Sequence, residues 1–276
     1  MNNVVVRSIS GVVFILAMLA CLMFNKFLFA GLIIFIMSVM LLEFYHITMG
    51  NSYTFSKVLA IIAAIFLFGL LFATASYHIP IRFVAFAMVP IFIVMINSLY
   101  VKDKDEYGKF SNIYTGLLYI AVPIALSNLI AFDKAGNFSG NLLLCFFIII
   151  WCSDVGAFAF GISLGKIFPQ KLFPSVSPKK TWIGFIGGLV SSVLAAFALY
   201  EFGILKFPLI HCLILSFIMS VTGVYGDLFE SQWKRVYEVK DSGKIIPGHG
   251  GFLDRFDSTL MAMPFGAIYL AIFDLL

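Results

Sequence analysis

Apolar residues in this chain gather into runs of membrane-spanning length, separated by short polar segments. The runs fall at Val4 to Phe24, Phe27 to Ile47, Lys57 to Thr74, Ile79 to Leu99, Ser111 to Phe132, Gly140 to Leu164, Trp182 to Tyr200, Phe207 to Phe229 and Phe256 to Leu276. A helix needs about 20 apolar residues to cross the hydrocarbon core, so the pattern predicts roughly nine transmembrane helices. The expected fold is all-α, a polytopic integral membrane helix bundle, with residues 1–276 forming a single membrane domain. Arg7 precedes the apolar core of the first run, but the run is long and lacks a convincing small-x-small cleavage site, so it reads as an anchor.

Composition agrees with the pattern. The chain is 62% hydrophobic with a mean hydropathy of +1.04, against roughly 45–50% apolar residues in soluble domains. A net charge of +4 would hint at nucleic acid in a soluble protein; here it is a matter of membrane sides, and no nucleic-acid partner is expected. With nine spans, fourteen of the eighteen Lys and Arg fall on one side: Arg7, Lys57, Lys102, Lys104, Lys109, Lys166, Lys171, Lys179, Lys180, Lys234, Arg235, Lys240, Lys244 and Arg255. Lys26, Arg82, Lys134 and Lys206 fall on the other. The positive-inside bias makes the first side cytoplasmic. The amino terminus then faces the cytoplasm of a cell (inner) membrane protein, and the loops Gly165 to Thr181 and Glu230 to Arg255 share that face. Cys21, Cys145, Cys152 and Cys212 lie in apolar runs without a CxxC pair, so they read as core residues.

The chemistry-bearing residues concentrate in 140–276, which leaves 1–139 mainly as scaffold spans. Asp154 sits inside an apolar run in WCSDVGAFAFG, where a carboxylate costs roughly 2.5–3.5 kcal/mol on insertion scales and needs a partner or a wet cavity. SPKKTWIGFIGG brings Lys179 and Lys180 to the expected start of a spanning helix, a corner suited to a phosphate. Topology marking is an equally good account of those lysines taken alone. Gly184 and Gly188 form a GxxxG, used for packing inside the bundle or, alternatively, for a homodimer. GISLGK, Gly161 to Lys166, is too short for a phosphate-binding P-loop and has Ile167 after its lysine.

Residues 226–258 carry eleven charged residues. Asp227 ends one span while Asp254 and Asp257 open the next, so these three carboxylates are expected to meet in one mouth, where hard oxygen ligands suit Mg²⁺ beside substrate phosphates. Between them, basic residues surround PGHGG, a glycine-rich turn able to approach a polyphosphate closely. His249 reads as a phosphate or proton donor, or as a loop residue capping the next helix. Ser231 reads as a cap or a hydroxyl ligand.

Ser231, Lys234, Arg235, Lys240, Asp241, Gly243, Ile246, Pro247, His249, Gly250, Gly251, Asp254, Arg255, Phe256 and Asp257 stand at the spacings of a known signature. In this, and in GDLFES, SPKKT and the Asp154 span, the chain resembles the CTP:phosphatidate cytidylyltransferases, also called CDP-diacylglycerol synthases. It departs from them at Trp233, usually aliphatic or Phe, and at Ile183, commonly Glu. The resemblance implies transfer of CMP from CTP to phosphatidate with Mg²⁺, releasing pyrophosphate, in a bilayer of membrane lipids. Combined with the residues themselves, it points to Asp227, Lys234, Lys240, His249 and Asp254 as catalytic. Ser177, Lys179, Lys180, Thr181, Ser231, Arg235, Lys244, Gly250, Gly251 and Arg255 are then expected to bind substrate. Asp227, Asp254 and Asp257 are the expected metal ligands, with Asp154 and Asp241 behind them. A CTP-dependent lipid kinase, or a cytidylyltransferase acting on another lipid phosphate, would use similar polar parts. A transporter would instead show internal repeats and midplane polar sites.

Overall fold

The computed structural model describes residues 3–101, 107–248 and 250–276. His249, like Lys102 and Lys104 of the charge count, lies outside the described residues. Nine helical segments run through them: α1 (Asn3–Met23), α2 (Lys26–Met49), α3 (Thr54–Tyr77), α4 (Ile81–Ser98), α5 (Gly108–Ala131), α6 (Asn141–Leu164), α7 (Trp182–Glu201), α8 (Leu209–Val236) and α9 (Leu253–Ile272). Each coincides with one of the nine apolar runs. Among the described residues seven, α2 to α8, are long and apolar enough to cross a membrane, and the chain is that of a multi-pass membrane protein. A short antiparallel hairpin, β1 (Lys171–Phe173) and β2 (Ser177–Thr181), joins α6 to α7.

Local chemistry sets the helix ends. Asn25 Oδ1 accepts the otherwise orphaned N–H groups of Phe27 and Leu28, both at 2.9 Å, and so starts α2. Gly50, at φ +58°, ends it in a conformation that L side chains rarely adopt. Within α5 the turn Leu117–Ala121 is a π-helix, directly followed by Pro123, which has no N–H to give a regular ladder. Tyr45 of α2 reaches the turn before it, its hydroxyl donating to Ile113 O at 3.0 Å, and Gly116 leaves room for the ring.

The chain forms two compact units, residues 1–139 with 239–255 and residues 140–238 with 256–276. The loop after α8 belongs to the first unit. In the first unit Phe29 packs its ring 6.2 Å from Phe68 and 5.4 Å from Phe138. Its spans α3 and α4 also present most of their apolar side chains outward, the distribution expected where lipid covers them.

The second unit is built on close helix approach. A Cβ on Gly184 would lie 2.9 Å from Ala157 O, and one on Gly188 2.9 Å from Ser153 O. The GxxxG therefore packs α7 against α6 within the unit. Ser153 Oγ meets Ser220 Oγ of α8 at 2.7 Å. Gly226 likewise lets α8 lie on α9, since a Cβ there would stand 3.2 Å from Asp257 C.

Candidate active site

In the second unit, SPKKT corrects the expectation of a helix start. Ser177 to Thr181 form β2, and the helix begins only at Trp182. Thr181 is extended (φ −121°, ψ 155°), and its Oγ1 accepts the Gly184 N–H at 3.2 Å, so the threonine caps α7 while both lysines stand before it on the strand. Trp182 N donates to Gln170 O at 3.0 Å, which secures the hairpin. A strand lets alternate side chains point to opposite faces, and Pro178 is tolerated in a two-stranded edge.

The hairpin, α6, α7 and α8 enclose a cleft of about 490 Å³. Asp154, Asp227, Lys179, Lys180 and Thr181 supply its polar lining, and Phe158, Ile162 and Phe185 are among its apolar wall. Lys180 Nζ lies 2.6 Å from Asp227 Oδ2, with both side chains partly exposed. Ser231 Oγ, one turn further along α8, donates to Asp227 Oδ1 at 3.2 Å and so orients this carboxylate from behind. Ser258 Oγ donates to Asp154 Oδ1 at 3.4 Å.

Asp257, from the first turns of α9, stands within electrostatic range of Asp227, Glu230 and Asp154. Glu230 is only 2% exposed, and Lys234 Nζ pairs with its Oε2 at 2.7 Å. Lys234 thus neutralises a buried acid that sequence reading left without a role. Arg235 Nε donates to Val176 O at 3.4 Å, which ties the end of α8 to the hairpin turn. Among the expected substrate ligands, Lys179, Lys180 and Thr181 line the cleft; Ser231 and Arg235 support it. Ser177 opens the strand that carries them.

The first unit holds the signature loop. Ile246 N donates to Gly250 O at 3.0 Å, and Gly248 (φ +75°) and Gly250 (φ +86°) take left-handed backbone to close that turn. Asp254 Oδ2 accepts from Ser242 N and Gly251 N, both at 2.9 Å, drawing the loop's two ends together. A second cleft, of about 650 Å³, is lined by Lys240, Asp241, Ser242, Gly243, Lys244 and His46. Arg255 follows Asp254 in the first turn of α9.

Two residues of this unit went unnoticed in the sequence because they lie in a scaffold span. His46 borders the lysine-lined cleft, and Glu43, only 6% exposed, accepts hydrogen bonds from Phe252 N at 3.1 Å and Leu253 N at 3.0 Å. The intramembrane-acid rule that singled out Asp154 applies equally to Glu43 and would have found it.

Of the three carboxylates expected to meet, Asp227 and Asp257 belong to the second unit and Asp254 to the first. Among the described residues no group of three or more His, Cys, Asp or Glu stands ready to hold a metal ion.

Comparison with known proteins adds to this geometry. A phosphatidate cytidylyltransferase of Bacillus subtilis (strain 168) is 41% identical over 182 residues, 65% of this chain and 63% of that protein. Phosphatidate cytidylyltransferases of Staphylococcus saprophyticus and Staphylococcus aureus (strain COL) are 44% and 45% identical over 124 residues, 45% of this chain and 46% of each of those proteins. The matched stretches thus span less than two thirds of each relative's own length. The cytidylyltransferase family, in contrast, matches residues 5–273, nearly from end to end, and the chain belongs to that family.

Proposed function

We propose that this protein transfers CMP from CTP to phosphatidate, giving CDP-diacylglycerol and pyrophosphate for phospholipid synthesis. The observation that carries the reading is the Lys180–Asp227 pair in a cleft whose other wall is apolar, as a lipid phosphate requires. A phosphatidate oxygen attacks the α-phosphorus of CTP, a new P–O bond forms, and the bond to the β-phosphate oxygen breaks to release pyrophosphate. Such displacements depend mainly on positioning and on neutralising charge. Lys179 and Lys180 hold the lipid phosphate, with Ser177 and Thr181 shaping the strand and Ser231 orienting Asp227. Lys234 and Lys240 are the proposed catalytic cations and His249 the proposed phosphate or proton donor, while Arg235, Lys244, Gly250, Gly251 and Arg255 bind substrate. This chemistry is placed on the cytoplasmic face, in keeping with the basic bias of that side.

The donor chemistry suits Mg²⁺: Asp227 and Asp257 lie within electrostatic range of each other, and Mg²⁺ is usually held by one or two carboxylates with substrate phosphates rather than by a protein cage. Asp227, Asp254 and Asp257 are its proposed ligands, with Asp154 and Asp241 behind them. When bound, the ion neutralises charge on the reacting phosphates.

Purified full-length protein given Mg²⁺, CTP and phosphatidate is expected to release pyrophosphate and form CDP-diacylglycerol in equal amounts. Release of CDP instead would mean phosphoryl transfer and overturn the reading. Asp254→Asn is expected to lose most of the rate while the protein remains folded in the membrane; full activity would remove the metal assignment.

A further inference from the structure

Glu43 lies in α2 and is only 6% exposed. A carboxylate buried in an apolar span must be compensated, and here the compensation comes from the signature loop of the same unit. Oε1 accepts from Phe252 N at 3.1 Å; Oε2 accepts from Leu253 N at 3.0 Å and from Ser242 Oγ at 3.4 Å. The two amides sit at the start of α9, where no intrahelical carbonyl exists to receive them and the helix dipole favours a negative charge.

The loop is shaped around this side chain. A Cβ on Gly251 would stand 2.5 Å from Glu43 Oε2, and one on Gly243 would stand 2.8 Å from Glu43 Cδ. Both glycines are signature positions, and their smallness is explained by the carboxylate lying against their backbone. Ser242 then links Glu43 to Asp254: its hydroxyl donates to Glu43 and accepts from Asp254 N at 3.3 Å, while its own N–H donates to Asp254 Oδ2.

We propose that Glu43 is a positioning residue for the reaction: it clamps Ser242, Phe252 and Leu253 from the neighbouring helix and thereby fixes Asp254 and the lysine-lined cleft. This rests on the cytidylyltransferase reading, because the clamped residues adjoin those assigned to substrate and metal. The clamp itself is a feature of the unit and is measurable without substrate.

The test uses full-length protein in nanodiscs, with Glu43→Gln, Glu43→Ala, Ser242→Ala and the Glu43→Ala/Ser242→Ala double variant. Misplacing reacting groups by about 1 Å costs roughly 100-fold in rate, so Glu43→Ala is expected to lower kcat/KM for CTP by about that factor, with little change in KM for phosphatidate. Glu43→Gln keeps the volume and one acceptor oxygen and should recover part of the loss. The double variant should be little worse than Glu43→Ala, since both residues serve one network. Amide exchange at Ser242, Gly251, Phe252 and Leu253 should accelerate in Glu43→Ala and remain unchanged in α6. Wild-type kcat/KM for CTP in Glu43→Ala overturns the proposal, as does unchanged exchange at those four amides. Should Glu43→Ala fail to assemble, Glu43→Gln decides: reduced kcat/KM for CTP at unchanged KM for phosphatidate supports the clamp, and wild-type kcat/KM rejects it. If wild-type protein itself shows no CTP-dependent transfer, the proposed function fails, and the exchange measurement still decides the clamp.

Discussion

Lys180 of the hairpin reaches Asp227 of α8 at 2.6 Å, joining the strand before α7 to the carboxylate that Ser231 orients. Both side chains remain partly exposed, about a quarter and a third respectively, so the pair is open to a phosphate that enters the cleft.

Lys180→Met should therefore separate activity from stability. A partly exposed ion pair contributes about 0–1 kcal/mol to folding, and the variant should unfold within a few degrees of the parent. Removing a positioned cation beside a reacting phosphate is worth on the order of 100-fold or more, and pyrophosphate release should fall by that much. Lys180→Arg, which keeps the charge on a different geometry, should fall between. Undiminished turnover in Lys180→Met would exclude the lysine from the reaction.

The α6–α7 crossing gives a packing prediction. Gly184→Ala and Gly188→Ala push a methyl group into the backbone carbonyls of Ala157 and Ser153, and overpacking of this kind costs about 1–3 kcal/mol. Gly31→Ala in α2 meets nothing within 4 Å and should be neutral or stabilising by about 0.5–1 kcal/mol. Thermal unfolding in detergent compares the three. Equal effects at Gly31 and Gly184 would contradict the close approach described for the second unit.

The α5–α6 loop gives a pH prediction. Hydrogen bonds from the Asn137 backbone and side chain, with a further one from Ala135 N, hold the Asp133 carboxyl below its usual range. A lowered folded pKa contributes stability that is present above the unfolded value and is lost as pH falls through the folded one. Titration of Asp133 by NMR should give a midpoint below about 3.9, the ordinary aspartate value. The turn from Asp133 to Asn137 should open only below that midpoint. A midpoint at or above the ordinary value would show that the turn does not retain these bonds in solution.

Much of the architecture was legible because lipid imposes a simple rule: every spanning segment must be apolar and must satisfy its own backbone. Each of the nine runs accordingly became a helix. The residues of SPKKT were legible as a phosphate-suited cluster but not as a strand, since a five-residue polar segment with a proline has no period to distinguish extended chain from the first turn of a helix. The carboxylates Asp154 and Asp227 stood out as charges in apolar surroundings; Glu43 has the same signal but lies in a span read as scaffold, and Glu230, next to Ser231 in GDLFES, read only as one of eleven charges in its stretch.

What the sequence by itself determined is the membrane class, the number of helical runs, the family signature and the side chains available for phosphate chemistry. These follow from composition and local spacing, which do not depend on how the helices meet. The tertiary structure alone decided that Lys180 pairs with Asp227, that Lys234 neutralises Glu230, and that residues 239–255 belong to the first unit. It also decided that a scaffold glutamate, about 200 residues away in sequence, holds the signature loop. Such pairings are long-range. A buried charge selects its partner by which donors the fold brings within hydrogen-bond distance, and spacing along the chain carries no record of that.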